Sequence, residues 1–394
     1  MMSRILPGNW PVATPQNNAE HSLYFDYAAT TPVDEQVISQ MIDCLGKGGA
    51  FGNPASSSHT FGQRARERVE RARQQVAELV HARPEQIVWT SGATESNNLA
   101  LKGAAQARGA HKGHIISSRL EHKAVLDTLG QLQENGFAVT YLAPDHDGGI
   151  TPQAVRCALR ADTFLVSLML VNNELGTVTD IGAVGQLVRE HGALFHVDAA
   201  QATGKVDIDL ASLPVDLMSF SAHKTYGPKG IGALYLGQRA QHRLHAQMHG
   251  GGHEQGLRSG TLATHQIVGM GQAFAIAGQV QIEERARILA LRTRLLGNLK
   301  NLPLRVNGER TGHVPHTLSL TADRDFALGN ELALSSTSAC NSASNEPSHV
   351  LLGIGLRRAE ALRTIRLSLG RFSTEYEVDR AAKLIEDALL LPEP

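Results

Sequence analysis

The sequence predicts an α/β protein: a large domain on a mostly parallel sheet with helices on both faces, then a smaller α/β domain toward the C-terminus. Three observations lead there. Short apolar runs alternate with amphipathic stretches from Ile87 to Leu236. Residues able to do chemistry cluster just after those runs, where open α/β sheets bind ligands. A chain of 394 residues is long enough for a large core and more than one domain.

Residues 1–22 are polar, carry Pro and Asn, and lack a long apolar segment, so they read as a flexible arm and not a signal peptide. Tyr24 to Pro32 is a short strand entering a turn, and residues 23–35 are assigned to the smaller domain. Val33–Leu45 has helical spacing, and Gly46–Ser58, with Asn53-Pro54, reads as a loop. Gly62–His81 is an amphipathic helix whose stripe is Val69, Val76, Leu79 and Val80. Ile87–Trp89 is a strand, followed by a small-residue turn and a helix to about Arg108. The alternation continues through strand His114–Ser117, helix Glu121–Asn135, strand Ala138–Leu142 and helix Pro152–Arg160. Then come strand Thr163–Val171, helix Ile181–His191 and strand Ala193–Val197. Val215–Phe220 and Ile231–Leu236 are strands flanking Ser221-Ala-His-Lys224 and a Gly-Pro-Lys-Gly turn. A Gly/His-rich loop, His249–Thr261, precedes a helix from His265 to about Leu299 that crosses into the smaller domain. That domain has strands near Leu304–Val306, His316–Leu320 and Thr364–Leu369, and a helix Thr374–Leu391. The expected division is 36–275 for the large domain and 276–394 for the smaller one.

Net charge is 37 − 38 = −1, so no global field draws the chain to nucleic acid or an anionic membrane. No run approaches the ~18 apolar residues of a membrane span. Cys44, Cys157 and Cys340 are far apart, with no CxxC or Cys/His cluster, so no metal site is expected. An odd, sparse set suits a reducing cytoplasm with at least one free thiol.

Lys224 between two core strands has two readings. Desolvation lowers an amine's pKa, which condensation with a carbonyl needs; alternatively it is a loop lysine in an ordinary ion pair. Thr90-Ser-Gly-Ala-Thr94 after a strand offers backbone N–H groups and a helix N-terminus to a phosphate, or is a plain helix cap at Ser91 or Thr94. Asp198 can pair with a protonated ring nitrogen, or cap a helix. Gln201 can reach the same ligand, His122 can stack on a ring or move protons, and Thr94, Ser221 and His223 can donate to a phosphate. Together these suit pyridoxal phosphate: an aldehyde for the lysine, a pyridinium for the aspartate, a phosphate for the donors. Cys340 lies in Ser335–Ser344, a run too small and polar to pack a core, which reads as a mobile loop with a reactive thiol. Cys44 and Cys157 sit in helical patterns and are expected to be buried.

Ser221-Ala-His-Lys224 with Gly-Pro-Lys-Gly, His196-Val-Asp-Ala-Ala-Gln201, Thr90-Ser-Gly-Ala-Thr-Glu-Ser96, Glu121-His-Lys-Ala-Val125 and Arg258-Ser-Gly-Thr261 resemble the cysteine desulfurases of the class V aminotransferase group, in particular the bacterial iron–sulfur-cluster type. The resemblance covers roughly Tyr24 to Leu390 and implies the pyridoxal-phosphate transferase fold of type I. It implies that Lys224 carries the cofactor, Asp198 holds the ring nitrogen, Gln201 the ring hydroxyl, and His122 stacks on the ring. It gives the phosphate to Ala93, Thr94, Ser221 and His223, with Thr261 reaching in from the second subunit of a homodimer. It further implies that Asn173 and Arg366 take the carboxylate of L-cysteine, that Lys224 and His122 move protons, and that Cys340 receives the sulfur as a persulfide for an acceptor protein.

Three departures accompany it. Thr337 stands where close relatives have glycine, and a β-branched residue restricts the loop. Thr321–Leu334 is shorter by a few residues, and Leu391-Pro-Glu-Pro394 lacks the extension that docks a cluster scaffold. The acceptor therefore stays open among iron–sulfur cluster assembly, tRNA thiolation and DNA phosphorothioation. Two rival readings remain: a selenocysteine lyase or aminotransferase of the same fold, which does not need Cys340, and a non-enzymatic binding protein with a dead site, against which intact Lys224, Asp198 and His122 argue.

Overall fold

A computed structural model describes residues 22–309, 312–336 and 346–390. The expectations for the N-terminal arm, for Thr337 and Cys340, and for Leu391–Pro394 therefore lie outside the described residues, Ser22 apart.

Seven short strands form the larger sheet: β2 (Ile87–Thr90), β3 (His114–Ser118), β4 (Ala138–Leu142), β5 (Thr163–Met169), β6 (Leu194–Asp198), β7 (Leu217–Ser221) and β8 (Gly232–Leu236), in the order β2-β8-β7-β6-β5-β3-β4. All pairs are parallel except those of β8, which runs antiparallel to β2 and β7. The reason is local. The link from Ala222 to Ile231 is too short for a crossover, which takes about a dozen residues or more, so the chain folds back beside β7.

Helices cover both faces, which is why the central strands are buried along their whole length. On one face Val69 and Val76 of α2 (Thr60–Leu79), Val184 and Val188 of α6 (Ile181–His191), and Ile267, Met270 and Phe274 of α7 (Thr264–Leu299) join Trp89, Val166, Phe195 and Phe220. On the other, Leu99 and Leu101 of α3 (Ala93–Ala107) and Val125 and Leu129 of α4 (Lys123–Glu134) close over Ile115, Leu165 and Leu234. Two buried histidines are stitched between strands. His196 contacts Ser167 Oγ at 2.8 Å and Ser219 Oγ at 3.0 Å, and His114 contacts Thr163 and Thr140 Oγ1, both at 2.8 Å.

Helix α7 has 36 residues and spans about 54 Å. Its first half packs on the larger sheet; its second half, through Ile288, Leu291, Leu295 and Leu299, joins a separate core. That core covers an antiparallel sheet of order β12-β13-β10-β9: β9 (Leu304–Asn307), β10 (Thr317–Ala322), β12 (Ser335–Ser336) and β13 (Thr364–Ser368). The helix Glu375–Leu390 packs there too, as does Phe25, beside the two-residue strand β1 (Leu23–Tyr24), which pairs with β11 (Leu332–Ala333).

Several details differ from expectation. Strand β5 stops at Met169, because Asn172 Oδ1 accepts from the N–H groups of Glu174 and Leu175 and turns the chain; Val171 then bridges Val178. Two five-residue helices, His349–Gly353 and Arg358–Leu362, are too short to show helical periodicity. Cys157 is exposed on the helix Pro152–Ala158, not buried, while Cys44 is buried in the turn after α1 (Glu35–Ile42).

Candidate active site

Because β2, β7, β6, β5 and β3 run the same way, their carboxyl ends share one edge. Across that edge Thr90 pairs with Gly232, Gly232 with Ser221, Ser219 with Asp198, and Asp198 with Met169. A cavity of about 430 Å³ opens there, lined by Ala93, Thr94, His122, Asn173, Asp198, Gln201, Ser221, His223 and Lys224 among others. Sheet topology thus gathers residues spread over more than a hundred positions.

At one end, Gly92 takes a φ of +154° and caps α3, so that the helix starts at Ala93 and Thr94. The cap is neither Ser91 nor Thr94, the two positions that the plain-cap alternative named. Ser91 N–H donates instead to Glu95 Oε2 at 2.7 Å. Glu95 also binds Arg258 at 2.8 Å, which draws the Gly/His-rich loop onto the helix start. The first N–H groups of α3 have no helical partner and carry the positive end of its dipole. Ser221 and His223 stand opposite. Burial first, then Lys224 and Lys229, lower the His223 pKa to about 4, so its imidazole is neutral near pH 7.

Deeper in, Asp198 Oδ1 accepts from Ala200 N–H at 2.9 Å and Oδ2 from Asn97 Nδ2 at 2.7 Å. Beneath lies Glu121, wholly buried, with Oε1 accepting from Met169 N–H at 2.9 Å. Burial, with the Asp198 charge behind it, pushes the Glu121 carboxyl well above its usual range. His122 caps α4: its Nδ1 accepts from Ala124 N–H at 3.1 Å. Burial and then Lys224 hold this imidazole below its ordinary pKa, so the neutral ring carries its proton on Nε2.

Lys224 sits in a braced turn. His223 carbonyl oxygen accepts from Thr31 N–H at 2.9 Å, and Thr31 Oγ1 accepts from Tyr226 N–H at 2.8 Å. Tyr226 holds φ at +59°, an uncommon conformation for a bulky residue, two positions from the lysine. Arg366 lies outside the cavity lining. Its Nη1 donates to Asn173 carbonyl oxygen at 3.0 Å, and its Nη2 to Asp26 Oδ1 at 2.8 Å and Ser335 Oγ at 2.7 Å. Its buried Nε has no partner among the described residues. Thr261 is exposed and does not line the cavity of its own chain. Asn97, Glu121, Asp26 and Lys205 belong to the same neighbourhood but carried no role in the sequence reading. For Asn97 a signal existed: it is one helical turn past Ala93 and shares its face. No described cluster of His, Cys, Asp or Glu could hold a metal ion, and no described helix is long and apolar enough to cross a membrane.

The family model for class-V aminotransferases matches residues 23–381. A cysteine desulfurase IscS of Pseudomonas savastanoi pv. phaseolicola is 58% identical over 373 residues, covering 93% of this chain and 92% of that protein. The chain belongs to the class-V aminotransferases, in their cysteine desulfurase group. Among solved structures, a NifS-like protein superposes with a TM-score of 0.84 at 37% identity, covering 93% of this chain and 98% of that one. A structure titled SspA in complex with cysteine gives 0.78 at 41% identity, covering 90% and 100%. The class-V fold explains the one edge at which so many functional side chains meet.

The residues present fit pyridoxal phosphate. A helix N-terminus with unpartnered N–H groups suits a dianion, a doubly anchored carboxylate suits a pyridinium, and an amine stands in the same cavity.

Proposed function

We propose that the protein is a pyridoxal-phosphate-dependent cysteine desulfurase, taking L-cysteine to L-alanine and leaving a persulfide on Cys340. The observation that carries this is the convergence of Lys224, Asp198 and His122 on one cavity in a chain 58% identical to an IscS. Bound pyridoxal phosphate supplies an electron-poor ring that drains charge from the amino acid's Cα.

The chain's own residues do the rest. Lys224 Nζ would hold the cofactor through its aldehyde, and its free amine would be the base at the substrate Cα. Asp198 keeps the ring nitrogen protonated. His122 would hold the ring and has its Nε2 proton available for transfer. Ala93, Thr94, Ser221 and His223 hold the phosphate; Gln201 meets the ring hydroxyl. Arg366 and Asn173 receive the substrate carboxylate; the Arg366–Asn173 contact orients the pair, and the Asp26 partner keeps the guanidinium in place. The Cys340 thiolate attacks the substrate sulfur: the C–S bond breaks, an S–S bond forms, and a proton replaces sulfur on the substrate's β-carbon. One cysteine and one thiol thus become alanine and a persulfide. The persulfide then passes to an acceptor protein. A homodimer explains why Thr261 faces outward from its own chain, and a thiol reagent at Cys340 suits the reducing cytoplasm.

The test is to incubate the purified protein with L-cysteine, quantify alanine and map the added sulfur atom by mass spectrometry. The extra sulfur is expected on Cys340, and Cys340→Ala should abolish sulfur release. Release undiminished in that variant overturns the role of Cys340; absence of alanine from the wild type overturns the activity.

A further inference from the structure

Lys205 is a charged residue that the proposed chemistry leaves unused. Its Nζ donates to Gln201 Oε1 at 2.8 Å, and Gln201 Nε2 donates to the Ala28 carbonyl oxygen at 2.7 Å. Turned over, the amide would set its NH2 against protonated Lys205 and its oxygen against the Ala28 oxygen, so with Lys205 protonated these two contacts allow one orientation. An amide nitrogen carries two hydrogens. Ala28 takes one, and the other is left for the cavity whose wall Gln201 forms. Gln201 therefore presents an N–H donor to a ligand, while Lys205 takes up one of the two lone pairs of its oxygen.

We infer that Lys205 is a positioning residue, which fixes the Gln201 amide with its donor available to the cavity and so favours a ligand whose ring oxygen is an ionised acceptor. The inference rests on the cysteine desulfurase reading and adds a residue to it. Its setting agrees. Lys205 and Lys224 line one small chamber of about 10 Å³ with Glu284 and His316, room for roughly a single water. Facing the ammonium are Lys224 and Arg366, which oppose its charge, and Glu284, which favours it; His316, buried with both ring nitrogens unpartnered, is close enough to feel it. Burial first, then those two cations, bring the Lys205 pKa down to about 7. In its protonated form Lys205 would also stabilise an ionised ring oxygen and disfavour a proton on the Lys224 nitrogen.

The experiment uses the full chain freed of cofactor and titrated with pyridoxal phosphate, following visible absorbance. Lys205→Met is expected to weaken binding about tenfold, the size of one hydrogen bond to a charged group, and to raise the pH at which the visible band changes. Lys205→Arg, which can still donate, should stay within about threefold. In a Gln201→Ala background, Lys205→Met should change binding less than about twofold, since the shared contact is already gone. Wild-type affinity in Lys205→Met, or an equal loss with and without Gln201, overturns the inference and leaves the desulfurase reading standing. A wild type that gives no visible band overturns both. If Lys205→Met does not fold, Gln201→Glu decides: it keeps a partner for Lys205 but has no donor, so about tenfold weaker binding at an unchanged melting temperature is expected, and unchanged binding overturns the inference.

Discussion

A buried histidine between two strands shows how a single side chain ties stability to pH. His196 has both ring nitrogens on serine hydroxyls inside the sheet, and burial lowers its pKa from 6.5 to about 4. The unfolded chain therefore takes up the proton first as pH falls. The stabilisation is complete above pH 6.5 and lost on the way down to about pH 4, with a slope approaching ~1.4 kcal/mol per pH unit from this residue alone. Urea midpoints between pH 7 and pH 4.5 should follow that slope, and His196→Asn should flatten it. An unchanged slope in the variant would mean that other groups set the acid limit. At the same scale, Lys224→Ala should remove the visible absorbance and lower cysteine turnover by at least ~10³-fold, the scale of loss for a covalent catalytic group; retention of either disproves its role.

The strand ends and turns set the site's shape. Strand β8 begins at Gly232, directly between the Thr90 and Ser221 ends. A Cβ there would lie 2.5 Å from Phe220 carbonyl oxygen and 2.6 Å from Gly92 Cα. Both neighbours are backbone and cannot rotate away, so Gly232→Ala has to push β8 or the Gly92 turn aside. The expected cost is about 1–3 kcal/mol of stability, with weaker pyridoxal phosphate binding because that turn starts α3. A denaturant melt and a cofactor titration measure the two effects, and a variant matching wild type in both refutes the packing argument. Legibility at this scale was uneven. Long strands and helices announced themselves by apolar periodicity, whereas Gly92 as cap and the Asn172 turn depend on φ and on side-chain-to-backbone bonds.

Across the whole molecule, the two cores share α7 and are fastened again at Arg371. Its Nη1 meets Asp34 at 2.9 Å, its Nε meets Glu284 at 2.7 Å, and its guanidinium lies 4.0 Å from the Tyr226 ring centre. This one side chain joins the cap of α1, the middle of α7 and the Lys224 turn to the end of β13. Asp34 and Glu284 are only 13% and 11% exposed, so Arg371→Met strands two nearly buried carboxylates, at about 3–5 kcal/mol. Calorimetry should show a lower midpoint and a transition split between the two cores; a single, unshifted peak would show that α7 alone couples them.

Residue order by itself determined the α/β alternation, because helix and strand periodicities are local properties of the chain. It also marked Lys224, Asp198, His122 and the Thr90–Thr94 turn, because chemistry-bearing groups at the ends of apolar runs stand out against a buried sheet. Tertiary structure alone decided that Asn97 anchors Asp198, that buried Glu121 lies beneath it, and that Lys205 reaches Gln201. Those relations depend on which strands become neighbours and on how far water is excluded between them. Neither is a property of any short stretch of sequence.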